Sequence, residues 1–240
     1  SKSRSNSTLC LQMGIIKTLL SHAVDAGHID HNPIDQIRVP KAALAKTKPR
    51  RAFKENEIQI ILDAVRGQSP AFKYWVHLGV FTGARSAEII GLRPEDLTEI
   101  EGVICIRIVD HVLRSVKTTT SNRIVPLHMG LGETIEWMDS RASEELIIPN
   151  VSVVQKAVEN YSHKFRRLIE NSGIRIRGQE TFQSLRHSFR AALRDADVKD
   201  EFARRLLGHV PLDIHGKYGN EVPVKSLADA VNRVYREIKV

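Results

Sequence analysis

The chain has 240 residues, of which 42% are hydrophobic and 5% aromatic, so it can form a globular core built mainly from aliphatic side chains. Its net charge of +8 favours a polyanionic partner, nucleic acid first and an anionic membrane surface second; the alternative is a basic protein without such a partner. The sequence has no apolar run long enough to span a membrane, and Cys10 and Cys105 belong to no metal-binding pattern, which predicts a cytoplasmic protein without a metal site.

The first predicted helix covers residues 8–26, where apolar side chains recur at helical spacing. Thr8 can cap its start, and Gly27 suits the left-handed position that ends a helix. Because one amphipathic helix cannot bury its own apolar stripe, we expect it to need partners from a preceding domain. The first residue is Ser rather than Met, which predicts that the sequence belongs to a longer protein.

Residues 36–54 form a basic segment that contains no acidic residue but includes Pro40 and Pro49. Its candidate DNA contacts are Arg38, Lys41, Lys46, Lys48, Arg50 and Arg51. We interpret the segment as a linker between domains that follows the phosphates of a nucleic acid. A solvated basic linker without a partner fits the composition equally well.

From Glu55 onward the pattern is mainly helical, with one β-rich region in the middle. Helices are predicted from Glu55 to Gly67, at 71–81, around Glu88 as far as Pro94, at 131–142, 151–171, 183–194 and 199–207, and after Pro223. Strands are predicted at residues 103–108, 111–117 and 123–127. Gly102 and Gly130 bracket the strands, and Lys117 lies near a hairpin tip. The expected fold is mainly α with a small three-stranded antiparallel sheet (α+β).

Residues 181–220 combine arginine, histidine and a single tyrosine, Tyr218. A phenol is a weak nucleophile at neutral pH unless nearby cations favour the phenolate. Arginine is always charged and can bind two oxygens at once, so Arg85 and Arg186 suit the oxygens of a phosphodiester under attack. Glu88, three residues after Arg85, could hold the helix start or that guanidinium; the alternative is an ordinary ion pair on a helix surface.

Lys117 and His209 complete the candidate set. A lysine beside a scissile phosphate can protonate a leaving alkoxide, although most hairpin lysines are plain surface residues. An imidazole at position 209 can donate to a nonbridging oxygen or help to move the proton of the tyrosine. The set therefore suits nucleophilic attack on a phosphodiester.

In this order, the motifs resemble the tyrosine recombinases, a family that includes phage and genomic-island integrases. The matching residues are Thr82-Gly83-Ala84-Arg85-x-x-Glu88, Lys117, Leu185-Arg186-His187-Ser188-Phe189, Leu207-Gly208-His209 and Tyr218. The resemblance implies a catalytic domain at residues 55–240, a basic linker at 36–54 and the end of a helical core-binding domain at 1–35. It also implies tetramers on paired double-stranded DNA sites, at times with an accessory DNA-bending protein, in a bacterial cytoplasm beside the nucleoid.

The resemblance also implies a role for each site residue. The two arginines would clamp the scissile phosphate, Lys117 would protonate the 5′-hydroxyl leaving group, and His209 would hydrogen-bond the phosphate. Tyr218 would form a 3′-phosphotyrosyl link, without metal, ATP or another cofactor. Where the family usually has His, three residues before the second arginine, this chain has Gln183, which can hydrogen-bond but cannot take a proton. The helix after Pro223 could pack on its own domain or be exchanged between protomers.

Two other functions fit the same residues. A type IB topoisomerase shares this residue set but relaxes supercoils without pairing sites. A DNA-binding protein without catalysis is the other alternative, because residues 200–218 can be interpreted as a helix-turn-helix. Gln183 gives that second alternative some support, since it replaces an expected proton acceptor.

Overall fold

A computed structural model gives the fold of the chain. It describes residues 6–37, 51–111, 122–142, 144–174, 180–209 and 222–240. The chain divides into two compact units, Ser1–Pro49 and Arg50–Val240. The division falls within residues 36–54, the segment that the sequence predicts to be a linker.

The described part of the first unit contains a long helix, α1 (Asn6–Asp25), followed by turns. Gly27 has a φ of 72°, and its N–H donates to the carbonyl of Val24 at 2.9 Å, so the predicted end of the helix is confirmed. The predicted cap at Thr8 is wrong. Because the polar residues just ahead of Thr8 also adopt helical geometry, Thr8 lies inside α1.

The second unit contains the predicted three-stranded antiparallel sheet. Its strands, in spatial order, are β1 (Leu97–Ile100), β2 (Val103–Ile108) and β3 (Arg123–Pro126). The register places Ile106 of β2 opposite Leu97 on one side and Val125 on the other. Ile106 and Val125 are fully buried, so this face of the sheet forms part of the core.

The first hairpin of the sheet differs from the prediction. The sequence predicts no strand at β1 and places one at residues 111–117, most of which lie outside the described residues. Gly102 forms the turn between β1 and β2, because Glu101 (φ 53°) and Gly102 (φ 78°) both have the positive φ of a tight two-residue hairpin. The Leu-Thr-Glu-Ile run is only four residues long and contains Glu99, a poor strand former, so its pairing with β2 is what identifies it as a strand.

The described helices of this unit are α2 (Glu55–Val65), α3 (Pro70–Thr82), α4 (Ser86–Ile90), α5 (Gly132–Asp139), α6 (Val154–Asn171), α7 (Phe182–Asp195), α8 (Asp200–Leu207) and α9 (Val224–Val231). Among them, α8 and α9 contact the sheet, and α3 contacts α2, α4, α5 and α7. A Cβ at Gly79 of α3 would lie 2.3 Å from the ring of Phe182, so glycine allows α3 and α7 to touch. Trp75 stacks on that ring at 3.7 Å between centroids. None of the described helices could cross a membrane.

The C-terminal helix α9 packs on its own chain, a question that the sequence leaves open. Leu227, Ala230 and Val231 are buried where α9 contacts β3 and α8. Just after the helix, Oδ1 of Asn232 accepts a hydrogen bond from the backbone N–H of Met129 at 2.9 Å. In this structure, therefore, the apolar face of α9 completes the core of its own unit.

Candidate active site

The sharp turn between α3 and α4 positions Arg85. α3 ends at Thr82, and Gly83 adopts a left-handed conformation (φ 60°) that favours glycine. A Cβ at Gly83 would also lie 2.7 Å from the Phe189 ring of α7, so glycine permits both the turn and the close approach. Arg85 directly precedes the first residue of α4, and its side chain is 32% exposed.

Glu88 is buried in α4 and binds two arginines. Its Oε2 accepts from the backbone N–H of Arg85 at 2.7 Å, and its Oε1 accepts from Nη1 of Arg85 at 2.8 Å. Arg123, at the start of β3, donates from Nη2 to Oε2 at 2.8 Å and from Nη1 to Oε1 at 3.2 Å. Burial alone would raise the pKa of Glu88, but Arg123 and then Arg85 outweigh it and lower the pKa to about 2. Glu88 is therefore an ionised, buried anchor rather than half of a surface ion pair.

Arg186 lies on the buried face of α7 and is only 5% exposed. Its Nη1 donates to the carbonyl of Gly83 at 2.8 Å, and its Nη2 donates to the carbonyl of Leu207. Burial, followed by the positive charges of the neighbouring arginines, lowers the pKa of Arg186 to about 9. The guanidinium is still protonated at neutral pH, and a bound anion would stabilise this charged form further.

His209 follows Gly208, whose left-handed conformation (φ 64°) ends α8. The Nε2 of His209 lies 3.2 Å from Nη2 of Arg186. Burial and then the charge of Arg186 lower the pKa of His209, so the imidazole is neutral at pH 7. The contact with Arg186 favours the tautomer with the proton on Nδ1, in which Nε2 accepts and Nδ1 can donate.

The cluster carries more positive than negative charge. Among the described residues, the guanidinium groups of Arg85, Arg123 and Arg186 surround one carboxylate, Glu88, which leaves a net charge of 3 − 1 = +2. A partly buried site with this excess of positive charge attracts an anion. The part of the chain that the structure describes holds no group of three His, Cys, Asp or Glu side chains placed for a metal ion. The arrangement therefore suits an anion such as a phosphate group.

The structure brings together four of the residues that the sequence singles out, namely Arg85, Glu88, Arg186 and His209. Gln183 lies one turn before Arg186 on α7, is half-buried and has no hydrogen-bond partner among the described residues. Lys117 and Tyr218 lie outside the described residues, so their roles stay predictions.

Arg51 is the candidate DNA contact that the structure describes; Arg38, Lys41, Lys46, Lys48 and Arg50 lie outside the described residues. Nη1 of Arg51 donates to Oε2 of Glu57 at 2.6 Å, and Nε of Arg51 donates to Oε1 of Glu180 at 2.8 Å. The hydrogen bond to Glu57 is the main reason why the pKa of Arg51 is raised. A phosphate would have to compete with two carboxylates for this guanidinium, and the predicted contact stays a prediction.

Arg123 is the site residue that the sequence does not predict. It begins the short apolar run Arg-Ile-Val-Pro-Leu, where an arginine would be expected at an exposed strand end. Its side chain is instead 5% exposed, and the register pairs it with the fully buried Ile108. Correct pairing of β3 with β2 would have placed Arg123 at the core and could have identified it.

Comparison with known proteins identifies the family. Residues 51–222 match the family model described as "Phage integrase family". The chain is 25% identical over 202 residues to the integrase of Enterobacteria phage 434, covering 81% of this chain and 54% of that protein. It is 24% identical over 204 residues to the integrase of Escherichia phage HK022, covering 82% of this chain and 53% of that protein. The chain thus spans about half the length of these curated relatives.

Solved structures of integrases share the fold. The integrase of the Tn1549 transposon, in complex with transposon right end DNA, matches with a TM-score of 0.66 at 17% identity, over 96% of this chain and 80% of that chain. A lambda integrase dimer bound to a COC′ core site matches with a TM-score of 0.63 at 22% identity, over 91% and 77%. The integrase of mycobacterium phage Brujita matches with a TM-score of 0.58 at 20% identity, over 97% and 74%.

At these identities the solved structures establish the fold, while the family model covers well over half of the sequence. The four clustered site residues, Arg85, Glu88, Arg186 and His209, all lie within the matched residues. The chain therefore belongs to the phage integrase family.

Proposed function

We propose that this chain is the catalytic part of a site-specific DNA recombinase, an integrase that cleaves and rejoins DNA strands. The observation that carries the proposal is the buried cluster in which Glu88 and backbone carbonyls hold Arg85 and Arg186 beside His209. This cluster has an excess of positive charge in a member of the phage integrase family. A DNA phosphodiester supplies the anion that such a cluster would bind.

In this mechanism, Arg85 and Arg186 bind the nonbridging oxygens of the scissile phosphate. Attack on phosphorus adds a fifth oxygen and concentrates negative charge on these oxygens, so the guanidinium groups stabilise the transition state more than the ground state. Arg186 uses three of its five N–H donors within the described residues, which leaves two for a phosphate. Neutral His209 adds a hydrogen bond through Nδ1.

Tyr218 is the nucleophile of the proposed reaction. Its phenolate oxygen forms a bond to phosphorus while the bond from phosphorus to the 5′-oxygen breaks, and Lys117 gives a proton to that oxygen. The 3′-phosphotyrosyl link conserves the bond energy, so a 5′-hydroxyl can reverse the step without metal or ATP. Gln183 hydrogen-bonds the phosphate or the phenol, and because an amide does not titrate, water or another group takes the phenol proton.

The proposed substrate is a pair of double-stranded DNA sites bound by four copies of the protein. Support comes from lambda integrase, which has been solved as a dimer bound to a COC′ core site and as a tetramer bound to a Holliday junction. We expect a monomer without DNA, help from an accessory DNA-bending protein, and a location at the bacterial nucleoid. Sedimentation of the chain with and without bound DNA tests the change from monomer to tetramer.

Strand exchange separates this function from that of a topoisomerase. The substrates are two duplexes of different length and label, each carrying a DNA site selected by binding of this chain from a random pool. A recombinase is expected to produce strands that join the two labels. Relaxation of a supercoiled plasmid carrying the site, without any joined strands, would instead indicate a type IB topoisomerase.

We also propose that the basic linker contacts DNA phosphates. Replacing Lys46, Lys48 and Arg50 with Gln is expected to flatten the plot of log affinity against log salt, by up to about 0.9 for each phosphate contact that is lost. Arg166→Gln is the matched control, because Arg166 lies outside the linker and is an exposed arginine paired with Glu170 at 3.0 Å, so its slope should stay close to wild type. An unchanged slope in the triple variant would refute the linker contact.

A further inference from the structure

Arg123 is fully engaged by the protein although it lies beside the proposed phosphate site. Its two terminal nitrogens donate to the two oxygens of Glu88, and its Nε donates to the carbonyl of Leu206 at 2.9 Å. With 5% of the side chain exposed, the guanidinium faces protein rather than solvent. These contacts hold the Arg123 guanidinium between α4 and the end of α8.

These contacts join two elements that carry catalytic groups. Glu88 lies on α4 and holds Arg85, whereas Leu206 lies in the last turn of α8, just before His209. A Cβ added at Gly208 would lie 3.0 Å from Nη1 of Arg123, so the end of α8 also packs directly on this guanidinium. One side chain thus fixes the distance between the elements from which Arg85 and His209 project.

Stability alone does not explain this arrangement. A buried ion pair adds little net stability compared with apolar side chains of similar volume, because both charges must leave water. The planar guanidinium fork of an arginine, however, fixes the geometry of its partners in a way that a lysine ammonium cannot. Arg123 binds both oxygens of one carboxylate and a backbone carbonyl at once, which holds two elements in register.

We propose that Arg123 is a positioning residue of the strand-transfer site, which ties Glu88 on α4 to the end of α8 and so sets the positions of Arg85 and His209. This inference rests on the proposed function, because it assigns Arg123 to the cleavage step. It predicts that loss of the guanidinium fork slows chemistry on bound DNA while DNA binding is largely kept.

Arg123→Lys tests the inference because it keeps the charge and removes the fork. At saturating nicked DNA carrying the selected site, the rate of covalent adduct formation is expected to fall by about 10- to 100-fold, the cost of small displacements of catalytic groups. The dissociation constant for DNA should change by less than about threefold, since Arg123→Lys keeps the positive charge. Arg166→Lys is the matched control: Arg166 also pairs with a glutamate, Glu170 at 3.0 Å, but is 63% exposed.

A second variant separates positioning from folding. Glu88→Gln/Arg123→Met removes both charges of the buried pair, together with the ion pair from Glu88 to Arg85. It should keep the thermal unfolding transition, because apolar or neutral replacements of buried pairs are tolerated. We expect it to cleave at least as slowly as Arg123→Lys. If either folded variant cleaves within about threefold of the wild type, Arg123 is not a positioning residue. If the wild type itself forms no adduct, the proposed function fails, which is a different result.

Discussion

Arg186→Lys is expected to lower the rate of DNA cleavage by at least about 100-fold, a typical effect of losing one donor that stabilises transition-state charge. Lysine keeps the positive charge but cannot donate to Gly83 and Leu207 while also reaching a phosphate and His209. The measurement is the single-turnover rate of covalent adduct formation on nicked DNA at saturating concentration.

Arg194→Lys is the matched control for this prediction. It lies on the same helix and pairs with Asp195 at 3.0 Å, but its side chain is 78% exposed. Its cleavage rate should stay within about threefold of wild type, since a surface ion pair contributes little. A folded Arg186→Lys variant with a rate equal to that of the control would show that the buried guanidinium is not part of the site.

The sequence predicts those parts of the site that depend on short spacing. Arg85 and Glu88 are three residues apart, and α4 begins just after the turn formed by Gly83. At this spacing the carboxylate of Glu88 can accept the backbone N–H of Arg85 and so cap the start of α4. His209 directly follows a glycine that must end a helix, so its place beside that helix end is also set locally.

Arg123 could not be predicted in the same way because its contacts are long-range. It reaches Glu88 across 35 positions of sequence and Leu206 across 83. Both contacts depend on the register of β3 and on how α8 packs against the sheet, neither of which is determined by local pattern. β1 is missed for a related reason, since its four residues, Leu97–Ile100, are identified as a strand by their pairing with β2.

The glycines illustrate a further limit of sequence reasoning. Gly27 could be predicted as a helix end because the apolar pattern stops there. Gly79 lies inside α3, where a glycine usually weakens a helix, and its role becomes clear only when the Phe182 ring is seen against its Cα. Close packing of α3 on α7 in turn brings Gly83 to Arg186, so this tertiary contact helps to build the site.

We propose that Tyr218 is the residue that forms the covalent link to DNA. The direct measurement incubates the chain with nicked DNA carrying the selected site and separates the products on a denaturing gel. Wild type is expected to give a protein–DNA adduct and Tyr218→Phe none, because phenylalanine has no nucleophilic oxygen. Gln183→Ala should still give the adduct, more slowly, since Gln183 positions groups without taking a proton. Wild-type protein that binds this DNA tightly without forming an adduct, or an adduct that persists in Tyr218→Phe, would contradict the account.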